Sequence, residues 1–360
     1  MHQGEQRDGV VTGLRADDVD DFARGTALLG CGGGGQVDHM AHALRRALGG
    51  GRVPVVPVDG GVRSVVAVGL VGSTTVLEEK TPSGRELPDA LAAVERWTGR
   101  RADAVVAAQI GGVTGPAAAL TALAAGLPLV DADLVGRATP RLDQLSLFVD
   151  RMPAVTAAAV TSSGLRIVVD APDPRDLETV WREAVSHSGG WAAFAVGPVD
   201  ADVLADRCIT GSVDRALRAG RAVAAATDVH ALASAVAGAR VVTTGRVLDV
   251  QRGGDAVAFV HGSMAIRDAV SGAVVRIEAG SEWVHCLVDG EPVASTPSCI
   301  VVVDARSLRP VATDRARVGD ELAVLVLPGA PWWWASPHRT TRVSPRAFGI
   351  DAAVVPEVAA

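Results

Sequence analysis

The apolar positions of this 360-residue chain change period along its length, and those changes divide it. Residues 16–29 (ADDVDDFARGTALL) set Val19, Phe22, Ala23 and Leu29 on one side of a 3.6-residue repeat, with Asp17 or Asp18 as a cap, which predicts a helix. GCGGGGQ follows at 30–36, then a second amphipathic helix, VDHMAHALRRAL, closed by GGG at 49–51. The runs VPVVPV (53–58) and SVVAVGLVG (64–72) read as strands. A helix over 87–99, a strand over 102–110, a helix over 117–126 and a strand over 127–133 continue the alternation. Strands alternating with helices predict βα units and an α/β domain with a mostly parallel sheet.

Around residue 150 the rhythm changes. MPAVTAAAVTSSGLRIVVDAP reads as two strands joined by the turn SSG, and APDPRD (171–176) is a Pro/Asp-rich break. Helices are expected over 175–187, 211–226 and 228–237. From residue 240 short β runs dominate: ARVVTTGRVLDV, DAVAFVHGSMAI, AVVRIEAGSEWVHCLV, SCIVVVDA and DELAVLVLP. Turns at GG (253–254), SG (271–272) and DGEP (289–292) separate them. The pattern predicts a flexible N-terminal segment (1–15), an α/β domain (16–172) and a β-rich α+β domain (173–360).

Composition narrows the class. Hydrophobic residues make up 48% and charged residues 21%, an ordinary globular balance. The net charge of −7 argues against nucleic acid and anionic membranes as partners. Cys31, Cys208, Cys286 and Cys299 lack metal-ligand spacing and read as thiols of a reducing compartment. The polar, acidic start lacks the apolar core of a signal peptide, and no apolar run is long enough to span a bilayer. A soluble cytoplasmic protein is the expectation. Among 34 Lys and Arg residues there is a single lysine, Lys80. Where arginine has replaced lysine wherever either serves, the surviving lysine marks a place for a compact point charge, or an accident on a solvated loop.

Four segments offer chemistry. Gly32, Gly33, Gly34 and Gly35 stand between two helices, so neither a P-loop nor a dinucleotide fingerprint fits, since the fingerprint needs a preceding strand. The run reads as a ligand-facing loop of amides, with Gln36 at its end, or as a tight corner. Cys31 before it is a nucleophile activated by the next helix, with His39 as its base, or a small buried hydrophobe; the second reading is favoured. Glu79 and Lys80, at the exit of a strand, suit a general base and an electrostatic anchor, or a charged turn. QIGGVTGP (109–116) offers Gln109 to a carbonyl or amide and Gly111 and Gly112 for close approach. In DADLVGRATP (131–140), Asp131 and Asp133 share a strand face and Arg137 suits a substrate carboxylate. Two aspartates without a nearby histidine do not make a zinc site, so no metal is expected. In SEWVHCL (281–287) strand alternation puts Glu282 and Cys286 on one face and Trp283 and His285 on the other. PWWWASPH (331–338) reads as an exposed aromatic surface or an interface edge.

These blocks together resemble the DUF917 family, described as S-methyl thiohydantoin desulfurase-like and often encoded beside hydantoinase and oxoprolinase subunits. The matching stretches are LLGCGGGGQ, LEEK, QIGGVTGPAAALTALAAGLPLVDADLVGRATP, TGSVDRALRAGRAV, TTGRVLDV, FVHGS and VSPRAFGID. They run in family order from about residue 20 to 351. The resemblance implies an N-terminal α/β domain and a C-terminal β-rich domain. It also implies hydrolysis of a methylthio-substituted, hydantoin-like ring with release of a thiol. No cofactor is expected. The family sites it carries over are Gly32 to Gly35, Lys80, Gly111, Gly112, Asp131, Asp133, Gly136 and Arg137.

Four positions depart from the family pattern. Cys31 stands where threonine is usual, Gln109 where glutamate is usual, Ser281 precedes Glu282 in place of asparagine, and Ser298 follows Pro297 in place of aspartate. Gln109 cannot act as a base, so either the substrate differs or activity is lost. The expectation is a hydrolase-like enzyme on a small hydantoin- or S-methyl-thiohydantoin-like cyclic amide or amidine, releasing a thiol or opening or modifying the ring. Its expected catalytic set is Cys31, Glu79, Lys80, Asp131 and Asp133. Gly32 to Gly35, Gln36, Gln109, Gly111, Gly112, Arg137 and Glu282 are expected to bind the substrate. The chain is expected to act as a homo-oligomer or with a related subunit. The alternative is a catalytically reduced subunit pairing with an active relative or a hydantoinase/oxoprolinase-type protein.

Overall fold

A computed structural model describes residues 11–150, 155–253 and 261–357. Residues 1–10 of the expected N-terminal segment, 151–154 at the head of MPAVTAAAV, and 254–260 lie outside them. The last stretch takes in part of the expected GG turn, the start of the DAVAFVHGSMAI strand and the first two residues of FVHGS.

The first sheet is built from β1 (Gly13–Arg15), β2 (Arg52–Val56), β3 (Ser64–Gly72), β4 (Ala104–Ala107), β5 (Leu129–Asp133), β6 (Val155–Thr161), β7 (Arg166–Ala171), β8 (Trp191–Asp200) and β9 (Ile209–Thr210). Their order is β1-β2-β5-β4-β3-β8-β6-β7, with β9 on β5. The centre, β2-β5-β4-β3, is parallel, and antiparallel strands flank it. β8 and β9 come from beyond residue 172, so the sheet draws on both sides of the Pro/Asp break. The helices are α1 (Val19–Leu29), α2 (Asp38–Leu48), α3 (Thr74–Glu79), α4 (Glu86–Thr98), α5 (Thr114–Ala125), α6 (Pro174–His187), α7 (Ala201–Ala205), α8 (Ser212–Ala225), α9 (Val229–Ala235), α10 (Pro331–Trp334) and α11 (Pro337–Arg342).

Strand alternation sorts the core into two layers. In β3, Val66 and Val68 join the cluster under α1, α2, α4, α5 and α8, while Val65 and Ala67 join the opposite one around Trp181 and Phe194. β4 and β8 divide in the same way. Both faces are covered, which is why AVVA of β4 is apolar throughout.

The second sheet is antiparallel: β10 (Arg240–Gly253), β11 (His261–Asp268), β12 (Val274–Ala279), β13 (Trp283–Val288), β14 (Glu291–Ser295), β15 (Cys299–Asp304) and β16 (Glu321–Leu327). Its order is β14-β13-β12-β11-β10-β16-β15. One face of β15 and β16 (Cys299, Val301, Val303, Leu325, Leu327) packs onto the helical layer of the first domain. The other face (Ile300, Val302, Val324) closes the second domain's own core. An α/β part and a β-rich part therefore share one helical layer between two sheets, the two-part fold that the sequence predicts.

Two elements differ from the sequence reading. The Glu78–Lys80 segment ends the short helix α3, started by Ser73, whose Oγ accepts from Val76 N at 3.3 Å. A register shift between Glu278 and Ala279 puts Trp283 and Cys286 in the same core, against simple alternation.

Helices α1 and α8 meet backbone to backbone. A Cβ on Gly25 would lie 1.7 Å from Ala216 O, and one on Gly220 would lie 1.6 Å from Asp21 O. Gly220→Ala must push the helices apart and is expected to cost on the order of 1–3 kcal/mol, the usual range for overpacking. Thermal unfolding measures it; an unchanged midpoint would refute the close packing.

Candidate functional site

The glycine run sits where the two parts meet. Helix α1 ends at Gly30, and Cys31 takes the left-handed backbone conformation, φ +51°, that L-residues seldom adopt. Gly32, Gly34 and Gly35 follow at φ +85°, +75° and +77°. Backbone bonds fix the loop from several sides. Trp283 N donates to Cys31 O (2.8 Å), Thr313 N to Gly32 O (2.9 Å) and Val113 N to Gly34 O (2.8 Å). Ala138 N donates to Leu29 O at 3.0 Å and Gly112 N to Thr26 O at 2.7 Å. Contact is too close for side chains: a Cβ on Gly112 would lie 2.2 Å from Gly34 O, and one on Gly111 2.4 Å from Ala138 N. The amides of Gly32, Gly34 and Gly35 have no acceptor among the described residues. Beside them, α2 begins at Asp38 with no side-chain cap from Val37, and Val113, just before α5, lies against Gly35. The partly exposed loop thus combines free donors with a positive helix end.

Under the loop lies a buried charged cluster. Glu282 is 1% exposed, and its carboxyl is so close to Gly33 that a Cβ there would stand 2.4 Å from Oε1. Its Oε2 has no hydrogen-bond partner among the described residues. Burial pushes its pKa up to about 7, against the opposing pull of the Arg137 charge. Arg137, 3% exposed, donates through Nε to Ala138 O (3.2 Å), Nη1 to Ser298 O (2.8 Å) and Nη2 to Trp283 O (3.0 Å). Three of its five donors are engaged, and two of them, to Ser298 O and Trp283 O, clamp the first part to the second. The sequence reading gave Arg137 to a substrate carboxylate; the structure gives it to these carbonyls.

Cys31 is fully buried, and its thiol is raised well above the ordinary value by that burial. A thiolate at Cys31 drawn out by α2 is thus not what the structure supports, and the exposed His39 makes no bond to it. The Cys31 thiol lies 3.5 Å from Leu29 O, and the nearby buried Cys299 raises its pKa further.

The remaining predicted residues are placed as follows. Asp133 is fully buried: Oδ2 accepts from Ile110 N (2.8 Å), Val135 N (3.2 Å) and Gly136 N (2.7 Å), and Oδ1 from Ser212 Oγ (2.6 Å). Burial lifts its pKa to about 6 despite those donors. Asp131 Oδ1 accepts from Val213 N (2.8 Å) and Asp214 N (3.3 Å), capping α8 from outside, and burial raises its pKa as well. Both aspartates hold the start of α8 against the loop after β5. Gln109 Oε1 accepts from Thr139 N at 2.8 Å, a bond that a glutamate would also make. Gln36, Glu79 and Lys80 are exposed. The Lys80 side chain has no partner among the described residues, and its carbonyl accepts from Trp191 Nε1 at 2.8 Å. The structure therefore brings together the glycine loop, Gly111, Gly112, Arg137, Glu282 and Cys31; it does not bring Glu79, Lys80, Asp131 or Asp133 into contact with Glu282. The Trp332–Trp334 segment is not an exposed aromatic surface. Trp333 is buried and donates to Val135 O (2.7 Å), while Trp332 stacks under Arg339 and donates to Asp206 O (3.0 Å).

Sequence reasoning did not single out Cys299 or Arg215. SCIVVVDA carries only a strand signal, and nothing local pairs Cys299 with a loop near the other end of the chain. Among the described residues no group of three or more His, Cys, Asp or Glu is placed to hold a metal ion. No helix among them is long and apolar enough to cross a membrane.

The raised pKa of Glu282 has a sign. The folded protein holds this proton more tightly than the unfolded chain. Its contribution to stability is therefore full below about pH 4.5 and is lost as pH rises through about 7. The shift corresponds to about 3 kcal/mol. Glu282→Gln should remove that slope, so urea titrations of wild type and variant should diverge between pH 4.5 and 8. Parallel curves would refute the buried, proton-holding carboxyl.

A two-part protein, with a glycine loop on a buried Arg–Glu cluster between an α/β domain and an antiparallel β domain, is a recognisable class. The model of the S-Me-THD-like N-terminal domain matches residues 17–171, and that of the S-Me-THD-like C-terminal domain matches residues 172–357. The chain belongs to this family, the S-methyl thiohydantoin desulfurase-like or DUF917 family. A crystal structure of a protein from Chromobacterium violaceum is similar in fold, with a TM-score of 0.79 at 21% identity over 96% of this chain and 100% of that one. No curated protein matches the chain.

Proposed function

We propose that the chain is a hydrolase acting on a hydantoin- or S-methyl-thiohydantoin-like five-membered ring at the glycine loop. Family membership supports the ring chemistry. The observation that carries the reading is Glu282: a buried carboxyl with one oxygen unpartnered among the described residues, packed on Gly33 of a loop whose neighbouring amides have no acceptor among those residues. Such amides stabilise negative charge that develops on a ring oxygen or nitrogen during attack by water. A carboxyl titrating near neutrality gives a proton to the departing thiolate and takes one from water. For a methylthio ring, water replaces the sulfur substituent: the C–S bond breaks, a carbonyl forms and methanethiol leaves. For an unsubstituted hydantoin, the same groups open a ring amide.

The test is incubation of the purified protein with methylthio-hydantoins, hydantoins and cyclic imides, followed by mass spectrometry of the ring and a colorimetric thiol assay. Conversion of at least one ring is the expected result. No conversion of any of them, with protein at stoichiometric concentration, would overturn the reading.

A further inference from the structure

The first sheet ends in a strand that is paired on one side. Among the described residues β7 takes only β6 as its neighbour, and it stands last in the sheet order. An open edge is a template for another strand, and proteins blunt such edges with prolines, brevity or cover. Three other sheet ends are blunted. β1 has three residues, β14 carries Pro292, and the outer side of β15 is covered where Val302 O accepts from Val311 N at 2.8 Å. β7 has six residues, RIVVDA, without proline or lysine, and its Ile167, Val168 and Val169 are only half-buried. Two of the exposed large apolar side chains border it: Leu165 (50% exposed), just before the strand, and Trp97 (62%) of α4, whose Nε1 donates to Asp170 Oδ2 at 2.8 Å. The hairpin fixes which backbone groups face outward. Thr161 N donates to Leu165 O at 3.0 Å. Bonded and non-bonded pairs alternate in an antiparallel ladder, so Ile167 and Val169 bond β6, and the N–H and C=O groups of Arg166, Val168 and Asp170 point away from the sheet. The side chains of those three residues share the α4 face, where Arg166 Nη2 donates to Asp89 Oδ2 at 2.7 Å.

We propose that β7 pairs antiparallel with β7 of a second copy of this chain, across a two-fold axis at Val168, joining two nine-stranded sheets into one. The strand is complementary to itself in this register. Arg166 stands opposite the partner's Asp170, and Asp170 opposite the partner's Arg166, so each copy offers the other an opposite charge at both ends. Val168 meets the partner's Val168, and outward backbone groups meet outward backbone groups throughout. Other registers that match those groups match the charges less well. An axis at Arg166 or at Asp170 sets like charges face to face. An axis at Ile167 or Val169 sets one charge opposite Val168 and the other beyond the strand. On the α6 face Ile167 meets the partner's Val169 and the reverse, which covers the half-buried apolar groups. The joint also brings Trp97, bonded to Asp170, to the end where the partner's Arg166 lies. β3, β8 and β6 separate β7 from β4 and β5, whose ends meet the glycine loop. The pairing therefore leaves that loop open in both copies, and it does not depend on which ring the protein acts on.

Sedimentation equilibrium of the full chain at micromolar concentration measures the assembly, and twice the chain mass is the expected result. Val168→Cys then locates the contact. Hydrogen-bonded partners in an antiparallel ladder stand about 5.5 Å apart at Cα, within disulfide reach. Under mild oxidant this variant should give a covalent dimer that a thiol reverses, whereas wild type, whose four cysteines are buried, should give none. Asp170→Arg sets two positive charges face to face at both ends of the joint and should weaken self-association by about ten-fold or more. Adding Arg166→Asp restores opposite charges at both ends and should recover the dimer. A wild-type monomer would overturn the proposal. So would a dimer whose Val168→Cys variant does not cross-link, or one whose affinity ignores Asp170→Arg. A larger even assembly that cross-links through Val168→Cys contains the same joint and supports it. The cysteine result decides the matter even if a charge variant fails to fold.

Discussion

Arg137→Met should destabilise the protein by about 3–5 kcal/mol, the range for removing one member of a buried charged network. The arginine donates to the carbonyls of Ala138, Trp283 and Ser298, all in the buried junction. Methionine fills much of the space but donates nothing, so three buried acceptors lose their partner at roughly 1–3 kcal/mol each before relaxation. Glu282 also loses the positive charge that opposes its desolvation, so its proton is held still more tightly. Chemical denaturation at pH 7 measures the loss. The Arg137→Met/Glu282→Gln double variant should recover part of it, because the neutral amide no longer needs the charge. If the two changes simply add, the coupling between these groups is absent. If the single variant is as stable as wild type, the clamp is not what joins the two parts.

Glu282→Gln should lower turnover by about 10²–10⁴-fold on whichever ring the protein accepts, the usual contribution of one general acid–base group. Glutamine keeps the shape and the contact with Gly33 but neither gives nor takes a proton. The wild-type rate should change with pH around the carboxyl's pKa of about 7, and that inflection should vanish in the variant. Below that pH the wild-type group is a competent acid, and above it a competent base, so the limb that falls names the slower step. A structural role would instead leave the inflection in place and change only stability. Retention of near-normal turnover with the wild-type pH profile would remove Glu282 from the mechanism.

Much of this was legible along the chain. The helix at the LLGC segment, the strand at 64–72 and the helices near 87–99, 175–187 and 211–226 emerge within a few residues of their expected limits, because one-sided burial dictates their periodicity. β8 was not legible: WAAFAVGPVD is apolar on both faces, and its small residues carry neither period clearly. The glycine run was legible as a place of close approach, and Cys31, Gly111, Gly112, Arg137 and Glu282 were all marked as candidates. Their partners were not. Asp131 and Asp133 look like acid–base groups from their spacing, yet the start of α8 arrives from far along the sequence to claim them. Lys80 stands out by composition and is an exposed residue at the end of a short helix.

The sequence by itself determined most of the elements, the two-part division of fold and the family, since these depend on local propensity, apolar period and ordered motifs. Only the tertiary structure decided which charges are buried, which donors are already engaged and which thiol lies beside which arginine. Desolvation and hydrogen-bond satisfaction depend on neighbours brought in through space. Glu282 and Glu79 are the same side chain in the sequence; one is 1% exposed against a glycine loop and the other stands in water, and burial moves the pKa of Glu282 up to about 7.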